Sequence, residues 1–192
     1  MSASSFDPHA AASETANKIW DIVSEQSVCM MVTVDRGTIR ARPMAPVVRD
    51  EESVIYFFTH RKTHKDEEIA GDDRVCLTFS DERKNFYVSL SGAMQESEDI
   101  ALKERLWSLP MKAELPEGPK DPSVILLVFT PEIGEFWDGP ASRIVVAAKM
   151  AAAIATGKQA DLGASRKIAF SRRLCTHALL SEPRLYPTIE KD

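Results

Sequence analysis

The stretch 39–65, IRARPMAPVVRDEESVIYFFTHRKTHK, decides the fold that we predict for this chain. A basic strand leads through an acidic turn at 50–53 into an apolar strand, and a cationic segment follows. The pattern predicts one antiparallel hairpin whose two ends carry positive charge. The charges form two clusters, Arg40 with Arg42, and Lys62 with His64 and Lys65. Pairing would bring the clusters towards each other, so we expect an anion, most plausibly a phosphate, between them.

The second cluster coincides with a predicted helix start. Thr63 with Asp66 three residues later fits a capping box, which places His64 and Lys65 in the first turn of a helix over 63–70. Each cation at a helix N-terminus costs roughly 0.3–1 kcal/mol unless an anion compensates it. The alternative is a solvated helix start whose charges pair with the acidic residues at 66–68. The spacing alone favours neither interpretation.

Strand and helix patterns continue on both sides of this stretch. Gly37 permits a tight hairpin turn after the first strand, and Gly92 indicates a bulge or a close backbone approach. Pro43 and Pro46 cannot donate ladder hydrogen bonds, which indicates an edge or bulged strand. The predicted strands are 27–34, 38–49, 54–59, 75–80, 85–95 and 124–137, and the predicted helices are 13–25, 63–70, 97–109 and 142–156. Strands with helices between and after them predict one antiparallel barrel or sandwich with helical cover.

Composition excludes several classes of protein. With 192 residues, 44% of them hydrophobic, the chain fits a single soluble domain with a sizeable core. The net charge of -5 argues against a general nucleic-acid binder. We find no secretory signal and no stretch long enough to span a membrane. Cys29 and Cys76 lie in apolar strand-like runs, which indicates buried thiols and a reducing cytoplasm.

Motifs for other chemistries are missing from the sequence. It contains no GxSxG, P-loop or GxGxxG motif and no convincing Cys/His nucleophile pair. His60 and His64 have i, i+4 spacing, but no third ligand stands near them, so we predict no metal site. Asp121 and Asp138 fit turns better than acid–base catalysis. Trp137, at a strand end, could lie over a flat ligand.

An ordered set of short motifs resembles the pyridoxamine 5′-phosphate oxidase-like flavoproteins, and within them the general stress protein 26 branch. The resemblance covers roughly 14–157. Its motifs are Arg42-Pro43-Met44, Tyr56-Phe57-Phe58-Thr59, Lys65, Val75-Cys76-Leu77-Thr78-Phe79, Tyr87-Val88-Ser89-Leu90-Ser91-Gly92-Ala93, Leu106-Trp107, Pro116-Glu117-Gly118, Asp121-Pro122 and Glu135-Phe136-Trp137.

The resemblance implies a mainly β fold, a six-stranded antiparallel Greek-key split barrel with flanking α-helices. It also implies a homodimer with FMN at the interface. We therefore expect a flexible N-terminal arm at 1–12, an FMN-binding split-barrel domain at 13–157, and a C-terminal extension at 158–192 packed on the same domain.

Carried over position by position, the resemblance implies a set of FMN contacts. Arg42 would contact the phosphate or ribityl chain, and Lys65 matches the family's phosphate-binding lysine. His64 stands where the oxidases usually have arginine. Phe58 and Thr59 match a strand end that lines the flavin, and Pro43, Met44 and Val47 belong to the strand that runs along the isoalloxazine ring. Tyr87 and Trp137 complete the expected cofactor-binding set.

Departures from the oxidases concern the substrate half of their site. The oxidases have a lysine close to the position of Val47 and a glutamine near that of Tyr87, and their C-terminal Arg-x-His motif has no counterpart here. We therefore expect a flavin-dependent oxidoreductase that acts on a small molecule or a nicotinamide cofactor, without vitamin B6 oxidase activity. The alternatives are a non-catalytic flavin-binding or flavin-sensing stress protein, and a barrel that binds another planar anion such as haem.

Overall fold

The computed structural model describes residues 8–35, 37–61, 73–140, 143–160 and 163–170, and in these ranges the chain forms strands and four helices. The strands are β1 (Cys29–Asp35), β2 (Thr38–Met44), β3 (Val47–Arg49), β4 (Val54–His60), β5 (Arg74–Asp81), β6 (Phe86–Ser97), β7 (Val124–Asp138) and β8 (Ala164–Ala169). The helices are α1 (Pro8–Ser24), α2 (Ile100–Leu106), α3 (Leu109–Glu114) and α4 (Arg143–Thr156).

The described strands form one antiparallel sheet that curls on itself. Their order is β2-β1-β5-β6-β7-β4-β3, and β8 pairs with the second half of β7. The edge strands β2 and β3 follow each other directly in the chain, separated only by Ala45 and Pro46. Because three peptide steps span at most about 11 Å, the two edges of the sheet must nearly meet. The predicted mainly β split-barrel fold is thereby confirmed.

The strand count differs from the prediction of six for two reasons. The predicted strand at 38–49 is divided at Ala45-Pro46, and its two halves, β2 and β3, lie on opposite edges of the sheet. Strand β8 was not predicted, because the sequence after residue 158 is weakly patterned. The limits that we expect for the domain and its extension stay predictions.

The inner face of the sheet forms the main hydrophobic core. Strict alternation along β5 and β6 turns every second side chain inward, as a half-buried sheet requires. Helix α1 covers one side of this core with Ile19, Trp20 and Val23. The other large side chains of the core are Met31, Ile55, Phe57, Leu77, Phe79, Leu90, Met94, Ile125, Leu127, Phe129 and Phe136.

A second cluster packs on the outer face of β3, β4 and β7. Tyr56 and Leu126 from the strands meet Leu102 and Leu106 from α2. The first half of β7 is therefore buried on both faces, which explains its unbroken apolar sequence. Asp99 begins α2 by accepting a hydrogen bond at Oδ1 from the Leu102 N–H at 3.0 Å.

Gly92 provides the predicted bulge and also a close backbone approach. The register between β6 and β7 shifts at Ser91/Gly92, opposite Pro131. A Cβ at Gly92 would lie 2.1 Å from the carbonyl oxygen of Thr130. Only glycine fits this contact, which lets the long strand β7 bend past Pro131 without breaking.

Several predicted helix limits are corrected. Helix α1 begins at Pro8, so Ser13 lies inside it and does not cap it. Pro is tolerated in a first helical turn because its missing N–H would have no partner there. Pro110 was predicted to end the helix at 97–109, but it lies in the first turn of α3, after α2 has ended at Leu106.

Within the described ranges, no helix is long and apolar enough to cross a membrane.

Candidate functional site

The predicted site residues of the described chain fall into two groups. The first lies where the edges of the sheet meet, and we call it the seam: residues 42–47 together with Phe58 and Thr59. The second lies on the outer face of β6 and β7, and we call it the aromatic face: Tyr87, Ile133 and Trp137. His64 and Lys65, and with them the predicted helix at 63–70, lie outside the described residues.

The predicted hairpin at the seam is wrong in its pairing. Val47, Val48 and Arg49 pair with β4 as expected, but the strand that carries Arg40 and Arg42 pairs with β1. The reason is the break at Ala45-Pro46, where the proline lacks the N–H that would continue the ladder. Any approach of Arg42 to the end of β4 therefore depends on closure of the barrel, not on strand pairing.

The two arginines of β2 differ in their surroundings. Arg42 is half-buried, and its Nη2 donates to Oγ1 of the buried Thr33 at 2.6 Å. Arg40 lies at the exposed end of the strand, where Nη1 is 3.2 Å from Oδ2 of Asp35. Arg42 is thus the more buried cation of this strand, and a charged hydrogen-bonded guanidinium suits an anion or a ribityl hydroxyl.

At the far side of the seam, Phe58 and Thr59 lie on opposite faces of β4. Phe58 packs edge-to-face on Trp107, with ring centroids 5.2 Å apart. Thr59 is buried beside Ile125 on the inner face. Met44 is also buried in the core, and Val47 packs in the outer cluster with Tyr56. The seam therefore offers a ligand mainly backbone groups, one arginine and the edge of an aromatic ring.

The aromatic face is open to solvent. Tyr87 and Trp137 are directly paired across β6 and β7, and they are 43% and 40% exposed. Ile133 on the same face is exposed to a similar degree. These three large apolar side chains thus share one exposed face of the sheet. The sequence prediction that Trp137 could cover a flat ligand stays a prediction.

Within one chain the two groups lie far apart. Phe58 pairs with Leu126 near the start of β7, whereas Trp137 stands eleven positions further along the same strand. At about 3.3 Å per residue the separation along the strand is roughly 36 Å. In one copy of the chain the two groups therefore stand near opposite ends of β7.

A cleft of about 410 Å³ opens on the outer face between β2, β1, β5 and β6, which is within the range of small-molecule pockets. None of the predicted site residues lines it. Its apolar wall comes from Val32, Val34 and Ile39, and Cys76 and Ser91 form its floor. In the sequence Ile39 and Ala41 alternate with the two arginines, but only the pairing with β1 shows that their face points outward.

Titratable groups outside the seam have structural roles. Burial raises the pKa of the Cys29 thiol to about 12, so this cysteine is inert as predicted. Hydrogen bonds from the hydroxyl and the N–H of Ser123 hold the pKa of Asp121 below its usual value, in the turn that starts β7. Asp138 contacts Lys18, Oδ2 to Nζ at 2.5 Å. Among described residues, no group of three His, Cys, Asp or Glu side chains could hold a metal ion.

Known structures share this fold. A general-stress-protein-26-like chain from Jannaschia sp. CCS1 aligns with a TM-score of 0.65 and 25% identity, over 83% of this chain and 99% of that one. A protein related to general stress protein 26 from Clostridium acetobutylicum, of the pyridoxinephosphate oxidase family, aligns with a TM-score of 0.59 and 25% identity, over 65% of this chain and 89% of that one. The general stress FMN/FAD binding protein from Xanthomonas citri aligns with a TM-score of 0.59 and 27% identity, over 68% of this chain and 92% of that one.

A comparison with curated proteins finds no match. The model of the family described as pyridoxamine 5′-phosphate oxidase like matches residues 14–161, a span that includes every described strand up to β7 and the whole of α4. With the split-barrel fold and the similar general stress proteins, this match shows that the chain belongs to the pyridoxamine 5′-phosphate oxidase-like family.

Proposed function

We propose that this protein binds FMN and acts as a flavin-dependent oxidoreductase of the general stress type. Family membership supports the cofactor class, and so does the similar Xanthomonas citri protein, which is an FMN/FAD binding protein. The substrate would be a small molecule or a nicotinamide cofactor. We favour FMN because the resemblance assigns a phosphate to the seam, and it assigns nothing that would hold an adenosine group.

The observation that carries the proposal is the separation of the seam from the aromatic face. Both match positions that line the cofactor in the family, yet roughly 36 Å of strand lies between them in one chain. A homodimer would resolve the difficulty, because a two-fold axis can bring the aromatic face of each copy against the seam of the other. We therefore propose a homodimer with two equivalent sites, each built from both copies.

The described residues fit a flavin in this arrangement. Tyr87 and Trp137 offer the flat apolar surface that an aromatic ring system needs. Arg42 offers a fixed guanidinium for the phosphate or ribityl chain, anchored by its hydrogen bond to Thr33. When bound, FMN would supply the transfer of electrons, and the protein would supply orientation and exclusion of water.

Vitamin B6 oxidation is not part of the proposal. Val47, where the oxidases carry a lysine close by, packs in an apolar cluster with Tyr56 and Leu126. That position can neither hold a substrate phosphate nor move a proton. We assign no catalytic acid or base among the described residues, since the flavin carries the chemistry in this class of enzyme.

The cofactor can be tested with the purified protein. We expect a yellow protein whose visible spectrum is that of bound flavin, or an apoprotein that changes FMN fluorescence on titration. Riboflavin, which lacks the phosphate, is the matched control and should bind more weakly. A colourless protein that leaves FMN fluorescence unchanged would contradict flavin binding. A haem spectrum would instead support the alternative in which the barrel binds haem.

Turnover needs a separate test. Anaerobic addition of NADH or NADPH to the FMN-loaded protein should bleach the flavin faster than it bleaches free FMN under the same conditions. If neither nucleotide reduces the bound flavin and no electron acceptor from a panel reoxidises chemically reduced protein, the non-catalytic flavin-binding interpretation is correct.

A further inference from the structure

Lys103 of α2 is the only charged side chain that is buried in the described part of the chain, with 7% of its surface exposed. Its Nζ donates to the carbonyl oxygen of Val124 at 2.7 Å, and within the described ranges no carboxylate pairs with it. Lysine is rarely buried without a paired charge, because its ammonium group loses its hydration there and only hydrogen bonds can compensate the loss. The position of this lysine therefore needs a specific explanation.

The acceptor of this bond is a buried backbone group at the start of β7. Val124 is the first residue of the strand and has no exposed surface. The Arg61 N–H, just after β4, donates at 2.8 Å to the carbonyl of Ser123, the residue before Val124. Because backbone groups alternate in direction along an antiparallel strand, the carbonyl of Val124 points away from β4 and towards β6.

Among the described strands, none supplies a donor for this carbonyl. The pairing of β6 with β7 ends at Ser97 and Leu126, and the chain then enters α2 after the N-cap Asp99. The Nζ of Lys103, in the first turn of α2, takes the place of the missing strand donor. Loss of the ammonium group would leave a buried carbonyl without this partner, and an unsatisfied buried acceptor destabilises its surroundings.

The other end of α2 contacts the neighbouring strand. Trp107 follows the helix, one turn after Lys103, and its ring packs edge-to-face on Phe58 of β4 with centroids 5.2 Å apart. Phe58 pairs with Leu126, two residues after Val124 on β7. Helix α2 therefore holds both strands at the point where they border the seam, β7 through Lys103 and β4 through Trp107.

We propose that Lys103 is a positioning residue of the flavin site, which acts through the strand ends and not through contact with the cofactor. By completing the start of β7 it fixes the end of β4, and with it Phe58 and Thr59 of the seam. The inference rests on the proposed function, because that proposal places the cofactor at the seam. A purely structural lysine would stabilise the whole fold, whereas a positioning lysine acts on this end of β4 and on the cofactor.

Hydrogen exchange tests the local part of the proposal without any cofactor. In Lys103→Met, which keeps the apolar stem and removes the donor, the amide of Arg61 should exchange about tenfold faster, as expected for loss of a hydrogen bond from a charged group. The amides of the β5–β6 ladder should keep their rates. Lys112→Met, on the exposed surface of α3, is the matched control and should change neither. Equal exchange at Arg61 in the two variants, or a uniform increase over the whole sheet, would contradict the proposal.

FMN titration tests the functional part. Lys103→Met should raise the dissociation constant of FMN by roughly three- to tenfold, within what one charged hydrogen bond can contribute, and should change the visible circular dichroism of the bound flavin. Val23→Ala is the control for a general loss of stability, because Val23 lies in the main core whereas α2 packs in the second cluster. It should leave both measurements unchanged at temperatures where the protein is folded.

The outcomes separate this inference from the cofactor proposal. Lys103→Arg keeps a charged donor and should recover most of the FMN affinity. If folded Lys103→Met binds FMN as wild type does, with the same circular dichroism, the lysine is only structural and the inference is wrong. Wild-type protein that binds no FMN would contradict the proposed function instead, while fast exchange confined to Arg61 would still assign Lys103 to the seam. If Lys103→Met does not fold, Lys103→Gln, with a shorter neutral donor, replaces it in both measurements.

Discussion

Helices α1 and α4 are similar in length, at 17 and 14 residues, but they are used in opposite ways. Helix α1 carries polar residues on its outer side and buries Ile19 completely under the sheet. Helix α4 is far more apolar, yet it leaves Ile154 almost fully exposed. A chain that buried its most apolar helix least would be unstable unless something else covered it. The difference separates a helix that completes the barrel core from a helix whose apolar surface no other described element covers.

The sharpest test of this comparison uses the same substitution in both helices. Ile19→Ala should lower the free energy of unfolding by about 2–5 kcal/mol, because it leaves a cavity in the core. Ile154→Ala should change it by less than about 0.5 kcal/mol in dilute, monomeric protein. Urea unfolding at low protein concentration measures both. Equal losses would mean that α4 is packed within its own chain.

Glycines give a second matched pair, one in the barrel and one just after α4. Gly92→Ala should lower the free energy of unfolding by roughly 1–3 kcal/mol or more, because the new Cβ would lie 2.1 Å from the carbonyl oxygen of Thr130. A Cβ added at Gly157, just after α4, would contact nothing within 4 Å. Only the positive φ of +65° opposes Gly157→Ala, so the free energy of unfolding should fall by about 1–2 kcal/mol. Thermal unfolding of the two variants compares them. A larger loss of stability at Gly157 than at Gly92 would contradict the expected difference between the barrel and the end of α4.

The comparison extends to the cofactor. Lys65→Ala should weaken FMN binding by about 1–3 kcal/mol at every protein concentration, as expected for loss of a charge-assisted hydrogen bond. Lys62→Ala, three residues earlier, is the matched control and should leave affinity unchanged. If Lys65→Ala has no effect in fluorescence titration, the phosphate is bound elsewhere.

The smallest expected effect concerns the buried thiol of Cys29. With its pKa raised from 9.0 to about 12, Cys29 should hold roughly a thousandfold less thiolate at pH 8 than an ordinary cysteine. Ellman's reagent should therefore spare Cys29 in the native protein and modify it in urea, which a Cys29→Ser variant would verify. Rapid modification of native Cys29 would mean that the core opens readily.

The features of the fold that could be predicted from the sequence are those that neighbouring residues determine. Three such features are the turn at Gly37, the bulge at Gly92 and the burial of Trp20. Each depends on neighbouring residues or on the periodicity of apolar positions along the chain. The split at Ala45-Pro46 was signalled by its prolines, yet local patterns cannot tell that β2 and β3 end on opposite edges of one sheet. The hairpin prediction for Arg40 and Arg42 was wrong for that reason.

The site was harder to predict than the fold. Motif order led to the predicted site residues of the seam and to Tyr87 and Trp137, but their separation along β7 follows from long-range pairing alone. The cleft was missed because Ile39 alternates with arginines, and an apolar face is ordinarily assumed to point inward. In β2 it is the arginine face that points inward, where Arg42 bonds to Thr33. Exposed apolar residues become informative only after the sheet is known.

Subunit complementation tests most directly the claim that each flavin site is shared between two copies. Lys65→Ala and Trp137→Ala chains, each weak in FMN binding alone, are mixed, dissociated and reassociated in equal amounts. A shared site predicts that mixed dimers recover one intact site, so about a quarter of the wild-type high-affinity FMN sites should return. If no high-affinity sites return although mixed dimers form, each site lies within a single chain and the account is wrong.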